Sequence, residues 1–214
     1  MNIVVFGGTG RIGSAVVHRA LAEGHKVTAV ARHAPRTPVR DKNFTMHLGD
    51  AMEASVTEEA VAGADVVVLA VGMPGTSSTV VRSTTVAAVL KGMRANGVKR
   101  LITVSPAGVV ISRKAPLTRK LWLRFIVHKQ QRNAYNDVER VEDELVNHCP
   151  DIEWSIVRSA KVRETPATGD YQVIPDGELR NERAVSVADL ADYVVTRAEA
   201  PATYRTTVTI VGAA

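Results

Sequence analysis

Short runs of β-branched and apolar residues recur along the chain, and longer stretches with helical periodicity lie between them. The run Val66-Val67-Val68-Leu69 is continuously apolar rather than alternating, which indicates a strand buried on both faces. Such strands are typical of parallel sheets that are covered by helices on both sides. The alternation of strand and helix therefore predicts an α/β fold, with a doubly wound parallel sheet.

The predicted elements extend over the whole chain. Strands are predicted at Asn2–Phe6, Lys26–Ala31, Phe44–Leu48, Ala64–Val71, Arg100–Val104, Trp154–Arg158, Tyr171–Ile174 and Thr206–Val211. Helices are predicted at Ile12–Glu23, at about 54–62, 80–96 and 134–148, and from an N-cap at Ser186, with an acidic N3 residue at Asp189, to about Ala198. The length of 214 residues fits one domain, 1–214, with a small substrate-side cap built from segments 106–133 and 159–185.

Composition and the first residues exclude several protein classes. The single cysteine, Cys149, excludes an intramolecular disulfide and a Cys-rich zinc module. The six histidines show no metal-ligand spacing, so we expect no metal site. The first apolar run ends at Gly7, which is too short for a signal peptide or a membrane span and predicts a cytoplasmic protein.

A glycine-rich run, Gly7-Gly8-Thr9-Gly10-Arg11-Ile12-Gly13, follows the first predicted strand directly and opens the first helix. In this strand–turn–helix setting the pattern predicts a dinucleotide site. Gly7 would permit the tight turn, Gly10 the approach of the backbone to a pyrophosphate, and Gly13 close packing of the helix. Free N–H groups at the start of the helix would face the phosphates. The alternative is a plain glycine turn.

The end of the second predicted strand bears on the choice of dinucleotide. It reads Val30-Ala31-Arg32-His33, and Arg36 follows. A site that prefers NAD usually carries an acidic residue here, which accepts a hydrogen bond from the ribose 2′-hydroxyl. A guanidinium cannot accept that bond but can bind a 2′-phosphate through its fork of donors. Arg32 and Arg36 therefore favour NADP(H), the alternative being solvated loop cations.

The glycine motif resembles that of the atypical short-chain dehydrogenase/reductase superfamily, in its NAD(P)H-binding, NmrA-like group. Further stretches resemble the biliverdin reductase B/flavin reductase branch, so that the likeness covers nearly the whole chain. They are Leu48–Asp50, Val66–Gly72, Ala95–Arg100, Ile152–Arg158 and Val185–Ala191. The resemblance implies a Rossmann-type NAD(P)-binding fold.

The resemblance also implies a set of cofactor contacts. They are Gly7, Thr9, Gly10, Arg11 and Ile12 around the pyrophosphate, Arg32 and Arg36 at the 2′-phosphate, Asp50 and Ala51 beside the adenine, Val71 and Gly72 at the nicotinamide-side ribose, and Ser159 and Val162 in the loop that passes the nicotinamide. Asp50 has an alternative role as a turn residue at the end of a strand.

The catalytic pattern of the superfamily is incomplete in this chain. Many members use Tyr-x-x-x-Lys, but Tyr135 is followed four residues later by Glu139, and an acidic neighbour raises a phenol pKa rather than lowering it. Tyr135 is nevertheless a candidate for the substrate pocket, the alternative being a core tyrosine with a solvated hydroxyl. Where relatives often carry two hydroxyl residues, the chain reads Ser105-Pro106. Ser105 is a candidate hydrogen-bond donor to substrate or nicotinamide, or a cap on the backbone.

The basic charge of the protein is concentrated in one segment. The net charge is +5, yet Ser112–Arg132 alone holds seven basic residues and no acidic one, which leaves the rest of the chain at −2. One interpretation is a cap helix over the substrate pocket with solvated cations. A second is contact with an acidic partner, another copy of the chain or a polyanionic substrate. Nucleic-acid or membrane-surface binding is the third, although no specific recognition motif accompanies the charges.

The leading functional hypothesis is an NADPH-dependent oxidoreductase. It would transfer hydride to a small conjugated acceptor such as a flavin or quinone, and the proton would come from solvent or Ser105. One alternative is a non-catalytic, NmrA-like regulator that senses NADP(H). Another is a biosynthetic keto-reductase or epimerase with Tyr135 as the proton donor.

Overall fold

The structure is a computed structural model that describes residues 1–35, 37–72, 80–107, 128–175 and 183–213. Of the predicted cap segments, residues 108–127 of the first and 176–182 of the second lie outside the described residues. Within the described part, no helix is both long and apolar enough to cross a membrane.

The described residues form ten strands and five α-helices. The strands are β1 (Asn2–Phe6), β2 (Lys26–Ala31), β3 (Phe44–Leu48), β4 (Val66–Leu69), β5 (Arg100–Pro106), β6 (Glu153–Ser159), β7 (Val162–Arg163), β8 (Tyr171–Pro175), β9 (Val185–Ser186) and β10 (Thr206–Gly212). The helices are α1 (Arg11–Ala22), α2 (Ala54–Ala60), α3 (Val81–Ala95), α4 (His128–His148) and α5 (Val187–Thr196), with a short 3₁₀ turn at Pro201–Thr203.

Eight of these strands form one sheet in the order β3-β2-β1-β4-β5-β6-β10-β8. All neighbours are parallel except β8, which runs antiparallel to β10. Strands β2 and β3 follow one another on one side of β1, and β4, β5 and β6 follow one another on the other side. This is the doubly wound α/β fold that the sequence predicts, and its switch point lies between β1 and β4.

The continuous apolar runs are explained by burial on both faces of the sheet. Ile3 and Val5 of β1 belong to a core beneath helices α1 and α5, whereas Val4 and Phe6 belong to a second core beneath α3 and α4. Every residue of β4 is buried as well. Because both faces are covered, alternate strand residues are equally apolar.

Two element boundaries differ from the prediction for identifiable reasons. Helix α4 begins at His128 rather than near 134, since residues 128–133 are polar and give no apolar periodicity to read. Strand β4 is shorter than predicted because its partner β1 pairs only from Ile3 to Phe6 before the chain turns at Gly7. The two-residue strands β7 and β9, which pair with each other, are too short to give a sequence signal.

The start of helix α5 confirms both predictions made for it. The Ser186 hydroxyl caps the helix by accepting from the Ala188 N–H at 3.1 Å. Asp189 is the acidic residue of the first turn, and its carboxylate also accepts from the N–H groups of Thr168 and Gly169, both at 2.9 Å. The Asp189 carboxylate thus anchors the loop between β7 and β8 to α5.

A buried arginine at the start of β5, Arg100, anchors the chain that follows α5. The Nε of Arg100 donates to the Ala198 carbonyl at 2.6 Å. Its Nη1 donates to the Glu153 carbonyl at 2.7 Å and to the Ser155 hydroxyl at 2.8 Å. This residue, Arg100, also places its guanidinium carbon 4.5 Å from the centre of the Tyr204 ring. Burial lowers the pKa of Arg100 to about 10, so the guanidinium is charged at neutral pH and keeps all its donors.

We predict that Arg100→Met lowers the free energy of unfolding by about 3 kcal/mol, because several buried acceptors lose their donor at once. Chemical denaturation of the purified protein would measure the loss. Lys99→Met is the matched control, since it removes a cation from an exposed neighbour and should change stability by less than about 0.5 kcal/mol. Equal losses in the two variants would show that the buried hydrogen bonds do not matter.

Candidate functional site

The glycine turn after β1 packs between the ends of the two neighbouring strands, β2 and β4. The Gly7 N–H donates to the Val30 carbonyl of β2 at 2.9 Å, and the Gly10 N–H donates to the Gly7 carbonyl at 2.9 Å. Gly7 has φ +76°, and a Cβ there would lie 2.7 Å from the Ala70 carbonyl oxygen just beyond β4. Only glycine fits this backbone conformation and this space.

Helix α1 begins directly behind this turn with an open N-terminus. Its N-cap, Gly10, provides no side-chain cap, and its first turn carries no acidic residue. The N–H groups of Arg11, Ile12 and Gly13 have no intrahelical acceptor, since the first turn of an α-helix leaves its donors unpaired. A Cβ at Gly13 would overlap the Gly7 carbonyl oxygen, so the helix start is held tightly against the turn. The arrangement leaves N–H donors and the positive end of the helix dipole available to an anion.

The other predicted cofactor residues are brought to the same edge of the sheet, which we call the carboxyl edge because the parallel strands end there. Arg32 follows β2, Asp50 and Ala51 follow β3, and Val71 and Gly72 follow β4. Ser159 is the last residue of β6, and Val162 lies in β7. Parallel pairing in the large sheet therefore gathers residues as far apart in the chain as Arg32 and Ser159.

The surroundings of two of these residues, Arg32 and Asp50, bear on their expected roles. Arg32 is exposed, and its guanidinium has no hydrogen-bond or ion-pair partner among the described residues. Asp50 accepts from the Met52 N–H at 3.0 Å through one carboxylate oxygen, which is the turn role given above as the alternative. Arg36, the second predicted 2′-phosphate ligand, lies outside the described residues.

The structure describes the side chain of one catalytic candidate, Ser105, but not that of the other, Tyr135. Tyr135 lies in helix α4, but its side chain is outside the described part of the chain. Most of the basic segment, residues 112–127, is outside it as well. Ser105, in contrast, lies one residue before the end of β5, and it is only 4% exposed.

Ser105 belongs to a buried trio with Glu142 and Arg158. Its hydroxyl donates to Oε1 of Glu142 at 2.9 Å. Arg158 donates to the same carboxylate through Nη2, at 2.5 Å from Oε2, and through Nε, at 3.2 Å from both oxygens. Glu142 and Arg158 are 5% and 8% exposed, so this ion pair is largely removed from water.

The trio changes the expected polarity of Ser105. The Glu142 carboxylate is paired with a guanidinium and acts as an acceptor, so the single hydroxyl proton of Ser105 is directed to it. Towards a neighbouring ligand the Ser105 oxygen therefore presents lone pairs, which accept hydrogen bonds. The bond to Glu142 differs from the two roles predicted for Ser105, a donor to substrate or nicotinamide and a cap on the backbone, and its role toward a ligand stays a prediction.

Glu142 and Arg158 were not singled out from the sequence, although a signal was present. Glu142 lies four residues after Val138 and three before Leu145, which places a charge on the buried stripe of α4. Arg158 directly follows the apolar pair Ile156-Val157 in strand β6. A charge on the buried face of two separate elements indicates a buried pair.

A narrow cavity opens beside the trio, between the ends of β4 and β5, the start of α3 and the middle of α4. Apolar residues such as Leu69, Val71 and Val141 form most of its wall. Ser105 and Arg82 contribute polar groups to the same wall. The cavity thus adjoins both Val71 and Ser105, two residues predicted to lie near the nicotinamide.

Asp137 of α4, which is fully buried, joins the two helices that form the cavity. Its carboxylate accepts from the N–H groups of Arg82 at 2.8 Å and Ser83 at 3.0 Å, and from the Ser83 hydroxyl at 2.5 Å. These are donors of the first turn of α3, so an acidic residue of α4 caps its neighbour.

The fold and the glycine turn define a class of nucleotide-binding α/β proteins, and comparison with known sequences makes the assignment specific. The sequence model of the NAD(P)H-binding family matches residues 7–201. The chain belongs to this NAD(P)H-binding family. Its resemblance to the biliverdin reductase B/flavin reductase branch remains a prediction.

Three relatives are distant in sequence but match this chain along nearly their full length. The uncharacterized protein YwnB of Bacillus subtilis is 27% identical over 199 residues, which cover 91% of this chain and 89% of YwnB. The oxidoreductase YlbE of Lactococcus lactis superposes with a TM-score of 0.78 at 16% identity, over 99% of this chain and 91% of that one. A short-chain dehydrogenase/reductase of Veillonella parvula, solved in complex with NADP, gives a TM-score of 0.75 at 20% identity, over 98% and 94%.

We predict that Glu142→Gln lowers the free energy of unfolding by about 3 kcal/mol, because it removes the negative charge that faces the buried Arg158 guanidinium. Asp143→Asn is the matched control, since it makes the same chemical change at an exposed position of the same helix and should cost less than about 0.5 kcal/mol. Urea denaturation measures both. A loss in Glu142→Gln no larger than in the control would contradict the buried ion pair.

Proposed function

We propose that the protein is an NADPH-dependent oxidoreductase that reduces a small conjugated acceptor such as a flavin or quinone. The observation that carries this proposal is the open N-terminus of α1 behind the glycine turn, at the switch point between β1 and β4. Membership of the NAD(P)H-binding family supports the same cofactor class. In doubly wound sheets, ligands bind at this position.

The residues at the carboxyl edge fit a dinucleotide. Thr9, Gly10, Arg11 and Ile12 would hold the pyrophosphate, because the N-terminus of α1 offers donors and positive charge without a competing carboxylate. Asp50 and Ala51 would lie at the adenine. Val71, Gly72, Ser159 and Val162 would lie at the nicotinamide end. This division follows the order of the strands from β3 at one side to β6 at the other.

The choice of NADP(H) over NAD(H) depends on Arg32, with Arg36 as its expected companion. Arg32 follows β2, the strand beside β1, and its side chain is exposed without a partner among the described residues. A guanidinium in this place binds a 2′-phosphate through charge-assisted hydrogen bonds. The binding of NADP by the structural neighbour from Veillonella parvula is consistent with this choice.

When bound, NADPH would supply a hydride, and this chain would supply orientation and a dry, apolar wall. The Ser105 oxygen would accept a hydrogen bond from the cofactor or the acceptor and so fix its orientation. Glu142 is held by Arg158 and Ser105, which keeps its carboxylate from serving as a proton donor. The proton that completes the reduction would come from solvent. Flavins and quinones suit such a site because they delocalise the electron pair before protonation.

We predict that the purified protein oxidises NADPH in the presence of flavins or quinones and not with simple ketones. The absorbance at 340 nm would be followed with one acceptor of each class, alongside a measurement of NADPH affinity in the absence of acceptor. Tight binding of NADPH without turnover of any acceptor would contradict the proposal and support the non-catalytic regulator. Ketone reduction that is abolished in Tyr135→Phe would support the keto-reductase alternative.

A second prediction concerns the 2′-phosphate. Arg32→Ala should weaken NADPH binding by about 10- to 100-fold while leaving NADH binding unchanged, because only NADPH carries the phosphate. Equilibrium titration with both nucleotides measures the effect. Lys42→Ala is the control, since it removes an exposed cation at the opposite edge of the sheet. An unchanged NADPH preference in Arg32→Ala would show that this arginine does not bind the 2′-phosphate.

A further inference from the structure

We infer that Arg82 makes the cavity between β5 and α3 an anion-recognition subsite, which binds a carboxylate or a similar monoanionic oxygen group of the hydride acceptor. The inference rests on the proposed function, because it assigns an acceptor class to the same site. It adds a residue, Arg82, that neither the glycine motif nor the predicted cofactor contacts include.

Arg82 lines the cavity, and its Nε is fully removed from solvent. Among the described residues this Nε has no hydrogen-bond acceptor. Among the described residues, its guanidinium also makes no ion pair. A buried N–H donor without an acceptor costs free energy, and a ligand oxygen that filled the position would recover it.

The nearest carboxylate does not fill this role. Asp137 accepts from the backbone N–H of Arg82 and from both donors of Ser83, so its two oxygens serve the helix end rather than the guanidinium. Burial lowers the pKa of Arg82, and the charge of Asp137 offsets only part of that effect. The guanidinium therefore remains an incompletely compensated cation on the cavity wall.

The other charges near the cavity do not attract an anion away from Arg82. Glu142 and Arg158 form a compact ion pair that is neutral as a unit. Ser105, which lines the same cavity, directs its proton to Glu142 and presents only lone pairs. Two different recognition groups consequently face one apolar space, a cationic donor at Arg82 and a neutral acceptor at Ser105.

This pairing indicates the acceptor that fits. The ligand would carry an anionic oxygen group directed at Arg82 and an apolar, planar body attached to it. The cavity is narrow, so the anionic group would enter it while the larger body stays towards the carboxyl edge. Neutral acceptors would bind by apolar contact alone and hence more weakly.

The test compares two quinones that differ in one charge, 1,4-naphthoquinone-2-sulfonate and 2-methyl-1,4-naphthoquinone. Arg82→Gln removes the cation but keeps an amide, Arg82→Lys keeps the charge without the Nε donor, and Arg140→Gln removes an exposed cation from α4 as the control. Each variant is assayed for NADPH oxidation with both quinones and for NADPH affinity. Binding of each quinone to the NADP⁺-loaded protein is measured separately by tryptophan fluorescence, without turnover.

We expect Arg82→Gln to raise KM and Kd for the sulfonate by about 10- to 100-fold, with less than about a twofold change for the methyl quinone and for NADPH. Arg82→Lys should lie between Arg82→Gln and the natural protein, and Arg140→Gln should match the natural protein. Equal effects on both quinones, no effect on either, or weakened NADPH binding would each overturn the inference. In the last case the anion would belong to the cofactor.

The binding measurement without turnover distinguishes a failure of this inference from a failure of the proposed function. If neither a quinone nor a flavin is reduced but the sulfonate binds through Arg82, the proposed reductase activity fails and the anion subsite stands. If quinones are reduced and their affinities do not depend on Arg82, the reductase activity stands and the subsite fails. If neither quinone binds or reacts, both fail.

Discussion

The close contact between the glycine turn and the start of α1 is the constraint on which the rest of the site depends. Gly13 lies against the Gly7 carbonyl, and Gly7 itself lies against the chain beyond β4. These contacts fix the first helix relative to three central strands, β2, β1 and β4. The N-terminus of α1 can therefore stay open, because backbone packing rather than a capping side chain holds it in place.

A second organising element is the polar connection between helices and strands on the α3–α4 side. Asp137 caps α3 from α4, and Glu142, one turn later on α4, binds the ends of β5 and β6 through Ser105 and Arg158. One helix therefore positions both the beginning of its neighbour and the ends of two strands. The proposed subsite at Arg82 is bounded by these same contacts.

Much of this architecture could be predicted from the sequence because its signals are local. Continuous apolar runs indicate burial on both faces, and the glycine run shows where the first turn lies, so the parallel sheet followed. Glu142 and Asp137 could not be assigned partners in this way, since Ser105, Arg158 and Arg82 lie 16 to 55 positions away. Hydrogen-bond partners across such distances depend on strand order and helix packing. Ser105 is the clearest case, because its position near the end of β5 can be read from the sequence and its bond to Glu142 cannot.

Strand β5 carries a stabilising group and a site residue at opposite ends. Arg100 begins the strand and anchors the segment after α5, while Ser105 lies near its end beside the cavity. Five residues of extended chain separate them by about 16 Å. Substitutions near Ser105 can therefore alter the carboxyl edge while the hydrogen bonds of Arg100 at the other end of the strand stay in place.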